Sequence, residues 1–184
     1  MLLNPQVNKQ EDFIKIVSGE NSIMIHPLIA DYFSRLIASR HFNDPTAVVF
    51  DFTSCKSLFT SEMLTILENI VNCKSVTLND DLGYKLRLIA IKLDCKELYQ
   101  KVDELFPFFK SQNINEEVIQ YIDYICDFYH YKMFPNDYVN CDQIIERIAQ
   151  NFFIIDENNL IKLPKTILFL IISNDKFRSK NEDS

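Results

Sequence analysis

Glycine is almost absent, with Gly19 and Gly83 the only two in 184 residues. Phosphate-cradling loops need several glycines so that backbone amides can approach the ligand, so neither a P-loop nor a dinucleotide-binding fingerprint can be written. Basic side chains are also in short supply, 19 against 26 acidic ones, for a formal net charge of −7. Phosphate binding draws on clustered Lys and Arg that release counterions, which makes nucleic acid and anionic membrane poor partners. Long apolar runs are missing too. The most continuous one, Thr166 to Ile172, lies between Lys165 and Asp175; it falls far short of the ~20 residues of a membrane-spanning helix and reads as a buried helix. The first residues, Met1-Leu2-Leu3-Asn4-Pro5-Gln6, lack the basic and apolar segments of a secretory signal. Five cysteines contain no C-x-x-C pair, so no zinc ribbon or thioredoxin-type site is spelled, and reduced thiols in a cytoplasmic or nuclear protein are expected.

What is present is the composition of a folded chain, 47% hydrophobic and 24% charged. The segment Phe13-Ile14-Lys15-Ile16-Val17, a turn at Ser18-Gly19-Glu20-Asn21, and Ser22-Ile23-Met24-Ile25 predict a β-hairpin, because β-branched residues flank a polar turn containing glycine. From Pro27 the period becomes helical, with Leu28, Ile29, Tyr32, Phe33, Leu36 and Ile37 on one face. Residues 47–52 predict a buried strand, residues 58–71 a helix with Phe59, Met63, Ile66, Leu67 and Ile70 inward, and residues 75–78 a short strand. Asn79 and Asp80 suit the cap of a helix carrying Leu82, Leu86, Ile89, Ala90 and Leu93. A further helix from Cys95 ends at Pro107, beyond which the pattern is wholly helical. Asn113 and Asn140 are expected helix caps, the first for a helix with Val118, Ile122, Ile125 and Tyr129 inward, the second for one with Ile144, Ile145, Ile148 and Phe152 inward. Leu36, Ile66, Leu67, Ile89 and Leu93 are expected in the core. The disappearance of strand patterns at Pro107 predicts an extension at residues 1–11, an α+β lobe at residues 12–106 and a helical lobe at residues 107–184.

The order hairpin, helix, strand, helix pair, short strand, helix pair resembles the BTB/POZ fold. Ile25-His26-Pro27-Leu28-Ile29-Ala30-Asp31-Tyr32-Phe33 is similar to the family stretch in which a histidine ends the hairpin and a helix leads to a Tyr-Phe pair. Leu86 through Leu93 followed by Cys95-Lys96-Glu97-Leu98 resembles its later helical signature. Ile148-Ala149-Gln150-Asn151-Phe152-Phe153, then Leu160, Leu163-Pro164 and an Ile/Leu-rich helix, is similar to the start of a BACK domain, incomplete at its C-terminus. The whole pattern is similar to that of divergent protist proteins in which such a region often precedes ankyrin repeats. Tyr32 follows His26 by six positions, about one helical turn fewer than the common BTB spacing, so the first helix must be short.

No reactive centre is spelled. Cys126 and His130 are i and i+4 on one predicted helix, but no third or fourth metal ligand stands at a readable spacing, and the pair is read as structural. His26 reads as a turn residue packed on the helix start. Ser, His and Asp are present without a G-x-S-x-G elbow. Asn79-Asp80-Asp81 and Asp156-Glu157-Asn158-Asn159 read as caps and solvated loops. Phe106-Pro107-Phe108-Phe109 reads as a packed hinge, with partner docking the lesser reading. The expectation is therefore a non-enzymatic protein-protein interaction module without cofactor or metal. In cullin-dependent BTB adaptors a hydrophobic residue, any residue and an acidic one follow the Tyr-Phe helix and meet the cullin, and the nearest match here is Phe42, Asn43 and Asp44, with Asp in place of the usual Glu. Asp44 before Pro45 can equally open an ordinary turn. The resemblance implies a substrate adaptor of a cullin-RING ubiquitin ligase, with a scaffold domain for ankyrin repeats as the alternative. Eleven residues before Asp12 are too few for the swapped elements of many BTB dimers, so a monomer or weak dimer is expected.

Overall fold

The computed structural model describes residues 13–107, 113–133 and 139–179. The expected extension at residues 1–11, together with Phe108 and Phe109, lies outside the described residues. The chain is of the α+β class, with a small three-stranded sheet and, among the described residues, many more helices than strands. It forms two compact units that divide between Asn79 and Asp80.

In the first unit, β1 (Ile14–Ser18) and β2 (Asn21–Ile25) make the expected antiparallel hairpin. Gly19 turns the chain at φ +61°, which a residue with a side chain adopts only under strain. Alternation puts Ile14, Ile16, Ile23 and Ile25 in the core. Helices α1 (Pro27–Phe33) and α2 (Arg35–Asn43) then cross to β3 (Val49–Asp51), which pairs parallel to the free edge of β1, in the order β2-β1-β3. Helix α3 (Ser61–Val71), capped by Thr60, packs on β2 and buries Met63, Leu64, Ile66 and Leu67.

The expected single helix from Pro27 is broken at Ser34. This residue is extended (φ −133°, ψ 115°), its N–H closes α1 on the carbonyl of Ala30, and its hydroxyl caps α2 by accepting from the amide of Ile37 at 3.1 Å. Serine competes with a helix through such bonds. The restart rotates the apolar face. Ala30 and Ile37 are buried, Leu36 is only half-buried, and Leu28 and Tyr32 face water. The expected strand at residues 75–78 is not a strand. The sheet ends at β2 and β3 and offers these residues no ladder, and Ser75 and Thr77 are exposed.

The second unit contains α4 (Asp80–Lys92), α5 (Lys96–Leu105), α6 (Ile114–His130), α7 (Cys141–Gln150), α8 (Glu157–Lys162) and α9 (Lys165–Ile172). Leu86, Ile89, Ala90 and Leu93 of the α4 segment, Val118, Ile122 and Ile125 of α6, and Ile144, Ile145 and Ile148 of α7 are buried as expected. Arg87, 2% exposed, donates to Asp103 Oδ1 at 2.9 Å and to the carbonyl of Phe106. The Tyr84 hydroxyl donates to Asp127 Oδ2 at 2.7 Å, joining α4 to α6. Lys92 Nζ donates to the carbonyl of Tyr131 at 2.7 Å. Residues 106 and 107, where the sequence placed a domain boundary, thus lie inside the second unit.

Leu82 and Phe152, expected inward, are only half-buried, Phe152 lying beyond the end of α7, and two further orientations differ from expectation. Tyr129, expected inward, is largely exposed because it sits in the last turn of α6, beyond the buried Ile125 and Phe128. The run at Thr166 to Ile172, expected to be a buried helix, buries only Ile171 fully: α9 packs against α7 and leaves Phe169, Leu170 and Ile172 exposed. Among the described residues, no helix is long and apolar enough to cross a membrane.

Candidate functional site

The segment Phe42, Asn43 and Asp44 ends α2, and all three residues are exposed. Each polar group there has a local task. Asn43 Nδ2 donates to the carbonyl of Ser39, one helical turn back, at 2.8 Å. The N–H of Asp44 donates to the carbonyl of Arg40, and Asp44 Oδ1 accepts from the hydroxyl of Thr46 at 2.6 Å and from its amide at 3.0 Å. Those bonds, the hydroxyl first, hold the Asp44 carboxyl below its ordinary pKa and keep it ionised. The turn expected before Pro45 is therefore formed, and Asp44 remains an accessible anion within it.

Phe42 has no such task. It is 88% exposed, projecting from the end of a helix whose mean hydropathy is low. Its inner edge borders an open groove of about 640 Å3 that Asp31 of α1 and Ala38, Ser39, His41 and Pro45 also line. Arg40 lies over the ring of Phe50 in β3, 5.6 Å from its centroid, and anchors α2 to the sheet. His41 Nδ1 and Asp31 Oδ2, 2.8 Å apart, clasp α2 to α1. Asp31 and His41 are ten positions apart across a helix break, and no local signal in the sequence pairs them.

Asp31 and His41 resemble the orienting half of a hydrolytic triad, and Ser39 lines the same groove. Among the described residues, no hydrogen bond joins the Ser39 hydroxyl to the His41 ring, whose Nδ1 faces Asp31. The Asp31–His41 clasp thus lies beside the exposed Phe42.

Cys126 and His130 each have another partner. The Cys126 thiol donates to the carbonyl of Lys162 at 3.4 Å, and burial together with Asp123 and Asp127 pushes its pKa up, away from thiolate character. His130 ends α6 and packs edge-on against Tyr131. His26 caps α1 by accepting from the amide of Leu28 and packs edge-on against Phe13. Asp80 and Asp81 occupy the first turn of α4, and Asp156 caps α8. Phe106 packs on Gly83. Among the described residues, no group of three or more His, Cys, Asp and Glu is placed to hold a metal ion. No protein-family model matches this chain, and no curated protein matches it in sequence.

Proposed function

We propose that the chain is a non-enzymatic protein-protein interaction module of the BTB/POZ type followed by a BACK-like helical region, and that it serves as a substrate adaptor of a cullin-RING ubiquitin ligase. The observation that carries this reading is Phe42, a large apolar side chain held almost wholly in water on a polar helix, with the accessible carboxylate of Asp44 two residues away. Aromatic side chains are enriched at protein interfaces, where one buried in a partner's pocket can anchor the contact. The order of elements in the first unit, a hairpin, a short helical segment and a return strand parallel to β1, agrees with the resemblance in Ile25 to Phe33.

Binding of the chain to a cullin amino-terminal domain tests the reading. Because Phe42 touches little, Phe42→Ala should leave the thermal midpoint unchanged while removing ~2 kcal/mol or more of binding energy, at least a roughly tenfold loss of affinity. Unchanged cullin binding by the folded variant refutes the contact. Absence of any binding by the parent chain leaves the scaffold role beside ankyrin repeats as the better reading.

A further inference from the structure

The second unit holds an apolar face that its own described residues leave open. A groove of about 500 Å3 runs between α6 and α7 with α9 along its side, and its lining includes Ile125, Phe128 and Tyr129, Ile145 of α7, and Leu170 of α9. Beside it, Phe169, Leu170 and Ile172 of α9 are 69%, 48% and 50% exposed. A helix apolar on every side belongs in a core. An unfilled groove and an uncovered ridge therefore lie next to each other and share Leu170.

We propose that a second copy of this chain covers this face, two copies related by a two-fold axis each seating the Phe169 and Ile172 ridge of α9 in the other's groove against Tyr129. Ridge and groove on one patch are what an isologous contact requires, since the same surface must supply both halves. The charged groups of the groove, Lys132 and Asp142, are of opposite sign, which suits like on like and selects neither a strongly basic nor a strongly acidic partner. The area fits a weak, transient dimer rather than a stable one. With a large aromatic presenting ~200 Å2, the exposed parts of Tyr129, Phe169, Leu170 and Ile172 amount to roughly 400 Å2 per copy, about half of the ~800 Å2 a partner gives to a standard interface. The groove walls add to it.

Sedimentation of the full chain from about 1 to 300 µM should show a concentration-dependent monomer-dimer equilibrium. Phe169→Lys and Tyr129→Glu change exposed side chains, so each should keep its circular dichroism and weaken self-association at least tenfold. Mixing the two variants should restore association, because one intact ridge then meets one intact groove and the second contact pairs Lys with Glu. If Phe169→Lys unfolds, Tyr129→Glu alone carries the test. A chain that stays monomeric throughout the range, including one whose face is taken instead by a different protein's helix, overturns the proposal. So does a dimer that both variants leave unchanged, or a mixture that associates no better than either variant alone.

Discussion

Gly83 sits buried in the interior of α4, where alanine would ordinarily be the better residue by up to ~1 kcal/mol. A Cβ built there would lie 2.7 Å from Cγ and 2.8 Å from Cδ2 of Phe106, closer than carbon atoms approach. The ring cannot simply retreat with its backbone, because the N–H of Phe106 donates to the carbonyl of Val102 at 2.8 Å and its carbonyl is held by the buried Arg87. Relief must come from an off-rotamer ring or a shift between α4 and the end of α5, an overpacking cost of ~1 to 3 kcal/mol. The clash should exceed the helix gain, and Gly83→Ala should destabilise by about 1 kcal/mol. Urea denaturation followed by far-ultraviolet circular dichroism measures this, with tyrosine fluorescence as the second probe since the chain has no tryptophan. The sign is the sharper test. In a Phe106→Ala background the same Gly83→Ala change should become stabilising, giving a coupling of about 2 kcal/mol in the double-mutant cycle. Stabilisation by Gly83→Ala alone, or additive effects, would refute the packing argument.

Cys73 closes α3 with φ +55°, its N–H bonded to the carbonyl of Ile70 and that of Lys74 to Asn69; Cys73→Gly should raise stability by ~0.5 to 1 kcal/mol, read as a higher urea midpoint, and an unchanged midpoint would mean the turn is unstrained. Tyr84 is raised well above its ordinary pKa, by burial first and then by its bond to Asp127. Its native hydroxyl keeps a proton that the unfolded chain releases near pH 10, so the associated stability is present below that pH and falls by about 1.4 kcal/mol per unit as pH rises above it. Tyr84→Phe should cost ~1.5 to 3 kcal/mol at pH 7 through the lost bond to a carboxylate and should flatten the alkaline decline; equal slopes for both proteins would contradict the burial of this group.

The hairpin and most helices were legible because their signals are local. Ile14, Ile16, Ile23 and Ile25 alternate around a glycine turn, and α3, α4, α6 and α7 carry stripes with the helical period. The break at Ser34 was not, because the apolar spacing runs unbroken through residues 27–37 and a serine within it becomes a cap only when its hydroxyl is buried next to Ile37. Residues 75–78 have strand composition, but a strand exists only where a neighbour supplies its ladder. For the candidate site, Phe42 and Asp44 came into view through the family resemblance, whereas the clasp of His41 to Asp31 depends on how α1 and α2 cross. The openness of α9 could not be read at all, since an apolar helix states what it would bury and not what is there to cover it.

That distinction separates the two exposed apolar features. Phe42 is a single side chain, worth about 3 kcal/mol if fully buried. Association costs at least ~4 kcal/mol in lost translation and rotation, so Phe42 cannot hold a partner by itself. It needs a wider contact, and Leu28 and Tyr32, four positions apart on α1 and largely exposed, offer apolar surface on the same unit. The α9 face is different in kind. Roughly 400 Å2 of largely apolar side chain per copy would leave water there, so the contact rests on the hydrophobic effect rather than on charged groups, and its area alone does not set its affinity. Pairing through α9 should therefore persist at raised salt, while a contact built on Phe42 and the carboxylate of Asp44 should weaken as salt screens its ionic part.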